Sequence, residues 1–111
     1  MNIEQEAKKF MDERGRSLTF DGYQRHAKGH AVYPKHTAIM YPALGLSGEA
    51  GELADKVKTI VRDGLANSPP DWREEIAKEI GDVLYYCAAL ASDLGMSLGR
   101  IANEDATNKY L

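Results

Sequence analysis

The chain has 111 residues, of which 43% are hydrophobic and 28% charged, and its formal net charge is −3 at pH 7. This composition excludes a disordered protein, and the length leads us to expect one globular domain spanning 1–111. The slight acidity argues against a nucleic-acid polymer as partner, because such binders usually carry a basic surface. The single cysteine, Cys87, excludes a disulfide within the chain.

The sequence also bears on where the protein works. Residues 1–6 are polar and acidic and lack the basic start and apolar stretch of a signal peptide. No run approaches the ~18 consecutive apolar residues of a membrane span. We therefore expect a cytoplasmic protein with no membrane partner.

In chain order, the first elements that the sequence predicts are two helices. The first runs from Ile3 to Arg14 and ends at Gly15. The second is short, from Phe20 to about His30, and is started by Thr19 or Asp21. Sustained apolar and polar alternation, the mark of a strand, is absent from the sequence.

The third predicted helix is clearer. The dipeptides Tyr33-Pro34 and Tyr41-Pro42 before it indicate turns or helix entries, because the residue before a proline avoids the helical region. The helix ends near Asp63-Gly64, and the proline-containing stretch 65–70 is a loop. Its apolar face recurs at steps of three and four: Leu46, Ala50, Leu53, Val57, Ile60 and Val61.

The fourth predicted helix runs from Trp72 to about Leu94. Asp71 is its N-cap candidate, and Glu74 three residues later suggests a capping box. Gly95 ends this helix, and Ser97 caps a last helix from Leu98 to about Lys109. The apolar face of the fourth helix comprises Trp72, Ile76, Ile80, Val83, Leu84, Cys87, Leu90, Ala91 and Leu94. Four or five helices with short links predict an all-α fold, a helix bundle.

Two glutamates lie on the apolar faces of the third and fourth helices. Glu49 follows Leu46 by three positions, and Glu79 follows Ile76 by three, so each shares its neighbour's face. A glutamate that faces a core is costly unless it is paired or bound to a cation. These positions are therefore candidates for a functional role.

Each of these glutamates has a second carboxylate one turn along its helix, Glu52 after Glu49 and Asp82 after Glu79. If the helices pack antiparallel, the four groups converge, and each pair about 4 Å apart costs roughly 4 kcal/mol at an effective dielectric near 20. Such a cluster protonates, opens or holds a cation, and oxygen-only ligands suit Mg²⁺ or Mn²⁺. From spacing alone, a metal site and two solvated helix faces both remain open.

The residues around these carboxylates resemble a known family. Residues 41–58, Tyr-Pro-Ala-Leu-Gly-Leu-Ser-Gly-Glu-Ala-Gly-Glu-Leu-Ala-Asp-Lys-Val-Lys, resemble the first motif of MazG-like nucleotide pyrophosphohydrolases. Residues 79–86, Glu-Ile-Gly-Asp-Val-Leu-Tyr-Tyr, resemble the second motif, and the stretch Phe20 to Gln24 resembles the segment that precedes both. The likeness extends from about Phe20 to about Leu98. Gly48 stands where many members have an additional Glu.

The resemblance implies an all-α NTP pyrophosphatase bundle completed by assembly into a homodimer or homotetramer. The implied reaction is Mg²⁺-dependent hydrolysis of a (d)NTP to a (d)NMP and pyrophosphate, for house-cleaning or nucleotide-pool control. The implied metal ligands are Glu49, Glu52, Glu79 and Asp82, and Glu49 or Glu52 accepts the proton of the attacking water.

Four further residues are candidates for substrate binding. Lys56, one turn beyond the first acidic pair, either reaches a phosphate oxygen or is a solvated lysine. Trp72 either stacks on a base or is a core or interface residue, and Tyr86, one turn beyond the second pair, lines the pocket. Many family members carry an asparagine and a lysine in the last helix, and the candidates for these positions here are Asp105, Asn108 and Lys109, in a register that the sequence leaves open.

Two other functions compete with this interpretation. One is a non-catalytic helical regulator that binds nucleotides or a partner protein, and the acidic quartet argues against it because a binding module does not need four repelling carboxylates. The other is an enzyme that removes the terminal phosphate instead.

Overall fold

A computed structural model describes residues 2–9, 11 and 18–110. Within those ranges the chain is helical and has no β-strand, which confirms the prediction of an all-α fold. The helices are α1 (Ile3–Lys8), α2 (Phe20–Gly29), α3 (Met40–Asp63), α4 (Trp72–Asp93) and α5 (Leu98–Tyr110). Two short 3₁₀ turns, Lys35–Thr37 and Leu65–Asn67, precede α3 and α4.

The boundaries of α2, α4 and α5 agree with the sequence prediction to within one residue, and α3 ends at the predicted position. This helix starts at Met40, so the Tyr41-Pro42 dipeptide lies inside its first turn. A proline is tolerated there because the first amides of a helix have no intrahelical partner. The prediction of a first helix from Ile3 to Arg14 is wrong, because α1 ends at Lys8 and Met11 is not helical. The Lys9 N–H donates to Glu6 O at 3.3 Å, the tighter three-residue bond that closes a helix end. The predicted stop at Gly15 lies outside the described residues.

The entry to α3 is held by the last turn of α4. Ile39, the residue before the helix, has φ +70°, a left-handed conformation that a β-branched residue rarely adopts. Its N–H donates to Asp93 Oδ2 at 2.9 Å, and the Tyr33 hydroxyl donates to the same oxygen at 2.8 Å. A side chain distant in sequence therefore fixes the point where α3 begins.

The predicted caps hold at two helices and are wrong at a third. The Thr19 hydroxyl accepts from the Gly22 N–H at 2.9 Å, so Thr19 rather than Asp21 starts α2. The predicted capping box of Asp71 and Glu74 does not form, because the Asp71 side chain makes no capping bond. The backbone of Asp71, at φ −97° and ψ 22°, is not in the extended conformation from which a capping side chain reaches the helix amides.

The end of α4 follows the prediction closely. Gly95 has φ +68°, its N–H donates to Ser92 O, and the Met96 N–H donates to Ala91 O at 2.9 Å. This pair of bonds is the Schellman motif, in which glycine takes the left-handed position without penalty. The reversed chain then enters α5, where the Ser97 hydroxyl accepts from the Arg100 N–H at 3.0 Å as predicted.

Helix α4 is the centre of the bundle. One of its faces packs on α2 and α5 around four buried side chains, three alanines and a leucine: Ala27, Ala88, Ala91 and Leu98. Its other face packs on α3 in the most extensive helix contact of the described chain. The buried side chains toward α2 and α5 are therefore apolar, whereas on the face toward α3 the buried Glu79 of α4 contacts Lys56.

Helices α3 and α4 run antiparallel. Gly45 near the start of α3 lies against Tyr86 in the second half of α4, whereas Lys56 further along α3 contacts Glu75 near the start of α4. This arrangement is the one that the convergence of the two acidic pairs required. It sets their registers opposite each other near the middle of both helices.

Gln24 of α2 ties the helices together on the other side of the bundle. Its Nε2 donates to Ser92 Oγ at 3.1 Å and to Met96 O at 2.8 Å, and its Oε1 accepts from the Leu98 N–H at 2.8 Å. The side chain thereby satisfies backbone groups at the α4–α5 turn. Its role in the described structure is to hold three helices in place.

Asp21 makes the second polar link between α2 and α5. Its Oδ1 accepts from Ser97 Oγ at 2.7 Å and from the Gly99 N–H at 2.9 Å, and these bonds hold the pKa of the carboxyl below its ordinary value. A Cβ at Gly99 would lie 3.0 Å from this oxygen, so glycine permits the close approach.

Several apolar side chains of α3 and α4 remain exposed. Leu44, Val57 and Val61 on α3 and Ile80 on α4 are 74%, 40%, 78% and 54% exposed. Val57, Val61 and Ile80 belong to the predicted apolar faces, so those faces are wider than the surface that one chain covers. No helix in the described residues is long and apolar enough to cross a membrane.

Candidate metal centre

Helices α3 and α4 bring three carboxylates to one point. Glu49, Glu79 and Asp82 each offer an oxygen, and these oxygens all lie within 4.8 Å of one another. Glu79 is buried, with 5% of its surface exposed, Glu49 is half-buried and Asp82 is exposed. The cluster therefore has a buried floor formed by both helices and an open side toward solvent.

Glu52, the fourth predicted ligand, lies beside this cluster without joining it. It is exposed, one helical turn after Glu49, and its carboxylate is outside the group of converging oxygens. Its negative charge nevertheless contributes to raising the pKa of Glu49. The assignment of Glu52 as a ligand stays a prediction.

Two oxygens of the cluster have no hydrogen-bond partner among the described residues. Glu49 Oε2 and Glu79 Oε2 are both buried and unpaired. Buried carboxylate oxygens are costly in this state, and native proteins rarely leave them so without a reason. Unpaired oxygens from two helices, with no nitrogen or sulfur donor among them, fit a hard divalent cation such as Mg²⁺ or Mn²⁺.

The proton affinities of the two buried glutamates diverge. Burial, the close approach of the Glu79 carboxyl and the charges of Glu52 and Asp82 raise the pKa of Glu49 to about 7. Glu79 moves the other way, because its contact with Lys56 holds the pKa of its carboxyl below the ordinary value. Without a cation, the cluster therefore relieves its repulsion by keeping a proton on Glu49 near neutral pH.

Lys56 borders the cluster and is held by two carboxylates of α4. Its Nζ lies 2.9 Å from Glu79 Oε1 and 3.2 Å from Glu75 Oε2, and both contacts raise the pKa of the lysine. The predicted contact of Lys56 with a phosphate oxygen stays a prediction. Sequence reasoning missed Glu75, although its position one turn before Glu79 on the same face was a readable signal.

Tyr86 lies beside the acidic residues, one turn after Asp82 on α4. Its ring packs against the backbone of α3 at Gly45, where an added Cβ would fall 2.6 Å from ring atom Cδ1. Burial is the main cause that raises the pKa of its hydroxyl, and the charge of Glu49 adds to the effect. The structure thus places Tyr86 near the cluster, and Gly45, which sequence reasoning did not single out, is the residue that permits this contact.

The two remaining candidates lie in different places. Trp72 lines a cleft of about 390 Å³ between the second half of α3 and the start of α4, and Lys56 lines the same cleft. Lys109 is near the end of α5, where its ammonium pairs with Asp105 at 2.9 Å rather than with the acidic cluster. The substrate-binding role of Lys109 stays a prediction.

Comparison with known proteins identifies the family to which the chain is similar. Residues 40–111 match the profile described as the MazG nucleotide pyrophosphohydrolase domain, and this span contains all four predicted carboxylate ligands. The "Gene 37 protein" of Mycobacterium phage L5 is 36% identical over 91 residues, which cover 77% of this chain and 80% of that protein. No solved structure matches the chain.

Proposed function

The chain belongs to the MazG nucleotide pyrophosphohydrolase family, and on that basis we propose that it hydrolyses nucleoside triphosphates with the help of Mg²⁺. The reaction is (d)NTP and water to (d)NMP and pyrophosphate, in the service of house-cleaning or nucleotide-pool control. The observation that carries the proposal is the pair of buried, unpaired oxygens of Glu49 and Glu79 beside Asp82. An arrangement so costly without a cation needs a functional reason.

The oxygen donors of the site indicate which kind of cation it binds. Glu49, Glu79 and Asp82 would hold the cation, and Glu52, one turn after Glu49 on α3, would be the fourth ligand. When bound, Mg²⁺ offsets the charge of the triphosphate and polarises the α-phosphoryl group. Mn²⁺ prefers the same ligands and is expected to substitute for it.

The protein side chains supply the remaining chemistry. Glu49 or Glu52 accepts a proton from the water that attacks the α phosphorus. The bond from that phosphorus to the α–β bridging oxygen breaks, and pyrophosphate leaves with the electron pair. Lys56 keeps Glu79 ionised and contacts a phosphate oxygen, and Tyr86 lies beside the site. Lys109, which pairs with Asp105 away from the cluster, is proposed as a phosphate contact on the family resemblance alone.

We include self-assembly in the proposal, as a homodimer or homotetramer. Its support is the exposed apolar surface of α3 and α4, represented by Leu44, Val61 and Ile80. Within the described chain, few side chains larger than alanine are fully buried, so a second copy would supply the missing burial.

Sedimentation of the protein should show a dimer or larger species, and Val61→Asp should shift it toward monomer. A wild-type chain that is monomeric at tens of micromolar concentration would contradict this part of the proposal.

The activity is tested with a panel of dNTPs and NTPs in the presence of Mg²⁺. We expect pyrophosphate and the nucleoside monophosphate as products, with no activity in Glu79→Gln and normal activity in Glu74→Gln. Glu74 is the matched control because it is an exposed glutamate of the same helix outside the cluster. If no nucleotide yields pyrophosphate above the Glu79→Gln level, the enzyme proposal is wrong. Binding without cleavage would indicate a regulator, and orthophosphate with a diphosphate product would indicate terminal cleavage.

A further inference from the structure

The cleft next to the acidic cluster has the form of a small-molecule site. Its volume of about 390 Å³ is at the lower end of the range for ligand pockets in proteins. Four apolar side chains, Trp72, Ile60, Ile76 and Pro69, line it. Trp72 is half-buried, and its side chain is one of those that line the cleft. The cleft therefore offers a flat aromatic surface within an apolar recess, which suits a planar ring.

The position of the cleft relates it to the metal centre. Lys56 lines the cleft and also contacts Glu79 of the acidic cluster at 2.9 Å. Trp72 and Glu79 are seven residues apart on α4, which places them on the same side of the helix and about 10 Å apart along its axis. A ligand whose phosphates meet the carboxylates can thus place its base against Trp72.

The polar groups that line the cleft are mostly hydrogen-bond acceptors. Asp55, Asp71 and Glu75 contribute carboxylates. One oxygen of Asp55 pairs with Lys58 at 2.8 Å and one of Glu75 with Lys56 at 3.2 Å, so the second oxygen of each is the acceptor that faces a ligand. The Thr59 hydroxyl also lines it and donates its proton to the backbone oxygen of Asp55 at 3.0 Å, so its remaining capacity is to accept. Lys56 is a donor, but its ammonium contacts Glu75 and Glu79. A ligand in the cleft therefore has to present N–H donors.

We infer that this cleft binds the nucleobase of the substrate and favours bases with exocyclic amino groups, namely cytosine, adenine and guanine, over thymine and uracil. The inference rests on the proposed function for the choice of a nucleotide as ligand. Trp72 stacks on the base, and the carboxylates of Asp55, Asp71 and Glu75 accept hydrogen bonds from its amino edge. Thymine and uracil carry a carbonyl oxygen where cytosine carries its amino group. They keep one ring N–H donor at that edge, but their oxygens face acceptors.

Binding in the cleft can be measured without any hydrolysis. Trp72 is the single tryptophan of the chain, so its fluorescence reports on the cleft alone. Nucleosides lack phosphates and cannot be hydrolysed, and we expect deoxycytidine, deoxyadenosine and deoxyguanosine to change the emission in a saturable way. Thymidine should bind about fivefold more weakly, as the loss of one hydrogen bond implies. In the matched control, Phe20→Trp in a Trp72→Phe background, the emission should not respond, because Phe20 lies on α2.

Kinetics supply a second test. Trp72→Ala should raise KM about tenfold, the usual effect of removing an aromatic ring from beneath a base, with a much smaller change in kcat. Trp72→Phe should restore most of the affinity because it keeps an aromatic face. A general loss of structure in Trp72→Ala would lower kcat as well and appear in the circular dichroism spectrum, and the fluorescence test on the unaltered chain does not depend on this variant.

The two proposals can fail separately. If dNTPs are hydrolysed but no nucleoside changes the Trp72 emission, the base does not bind in this cleft and only the inference is wrong. An equal response to thymidine would overturn the preference for amino-bearing bases. If nucleosides bind but no triphosphate is cleaved, the cleft assignment stands and the proposed activity is wrong.

Discussion

The molecule contains two polar clusters on opposite faces of α4, and they differ in how their groups are satisfied. On the side of α2 and α5, Gln24 and Asp21 bond to donors and acceptors at the α4–α5 turn at 2.7–3.1 Å. On the side of α3, Glu49 and Glu79 leave buried oxygens without a partner among the described residues. A satisfied polar cluster stabilises a fold, whereas an unsatisfied one indicates a ligand.

We expect the largest effect from a substitution in the unsatisfied cluster, at Glu49. Glu49→Gln should lower kcat for dNTP hydrolysis by at least about a hundredfold, because it removes both a metal ligand and a candidate base. Its melting temperature without metal should equal or exceed that of the wild type, since the change removes a repelling charge. Steady-state pyrophosphate release and thermal unfolding in EDTA measure the two effects. Glu74→Gln is the control, and a Glu49→Gln enzyme with normal kcat would contradict the assignment.

We expect the next largest effect, a loss of stability, from a substitution in the satisfied cluster, at Gln24. Gln24→Ala removes three hydrogen bonds and leaves the Leu98 amide without its acceptor. We expect the free energy of unfolding to fall by about 2–3 kcal/mol, measured by urea denaturation. The kcat of the protein that remains folded should be nearly normal. Lys28→Ala, an exposed change on the same helix, should alter stability by less than about 0.5 kcal/mol. If Gln24→Ala abolished activity without lost stability, the contrast between the clusters would be wrong.

A smaller loss of stability is expected from a second substitution in the satisfied cluster, at Ser97. Ser97 both caps α5 and donates to Asp21, so Ser97→Ala should cost about 1 kcal/mol of unfolding free energy. Ser97→Thr keeps the hydroxyl and should recover part of the loss. Equilibrium unfolding of the three proteins is the measurement, and identical stabilities would show that this hydroxyl contributes nothing.

The smallest effect concerns the pH dependence of the metal-free protein. Because the pKa of Glu49 in the fold is about 7 instead of its ordinary 4.5, the folded state holds this proton more tightly than the unfolded state does. The resulting stabilisation is present below the ordinary pKa and is lost as pH rises through about 7. In EDTA, the melting temperature should therefore fall from about pH 5 to about pH 8.

Glu49→Gln should lack this part of the pH dependence, which makes it the control for the titration. Added Mg²⁺ should stabilise the wild type most at the alkaline end, where the carboxylates are free of protons. A stabilisation by Mg²⁺ that is equal in Glu49→Gln and the wild type would place the cation elsewhere.

Much of the fold was readable from local signals. The spacing of apolar residues predicted α3 and α4, and Thr19, Gly95 and Ser97 acted as the cap and stop residues that their chemistry suggests. The capping box at Asp71 failed because the backbone before α4 bends out of the extended conformation. Tyr41-Pro42 was predicted to be a turn or a helix entry, and it is an entry whose position depends on Asp93, more than fifty residues later in the chain.

The candidate site was readable in part. A glutamate at an apolar position identified Glu49 and Glu79, because only tertiary contacts or a cation offset a buried charge. Sequence reasoning could not tell that Glu52 lies outside the converging oxygens or that Lys56 contacts Glu75 and Glu79. Those facts depend on how the two helices are rotated about their axes, which the periodicity of one helix does not define.

The sequence by itself determined that the chain is helical, which faces are apolar and which carboxylates are misplaced on them, since helical periodicity is a property of neighbouring residues. Only the packed structure shows which of those carboxylates converge and which one holds a proton. It also shows that a cleft lined by Trp72 lies beside them. The physical reason is that distance, burial and the pKa of a group depend on residues brought close by the antiparallel packing of α3 and α4. A local pattern can show that a charge is out of place, but only the packing shows what surrounds it.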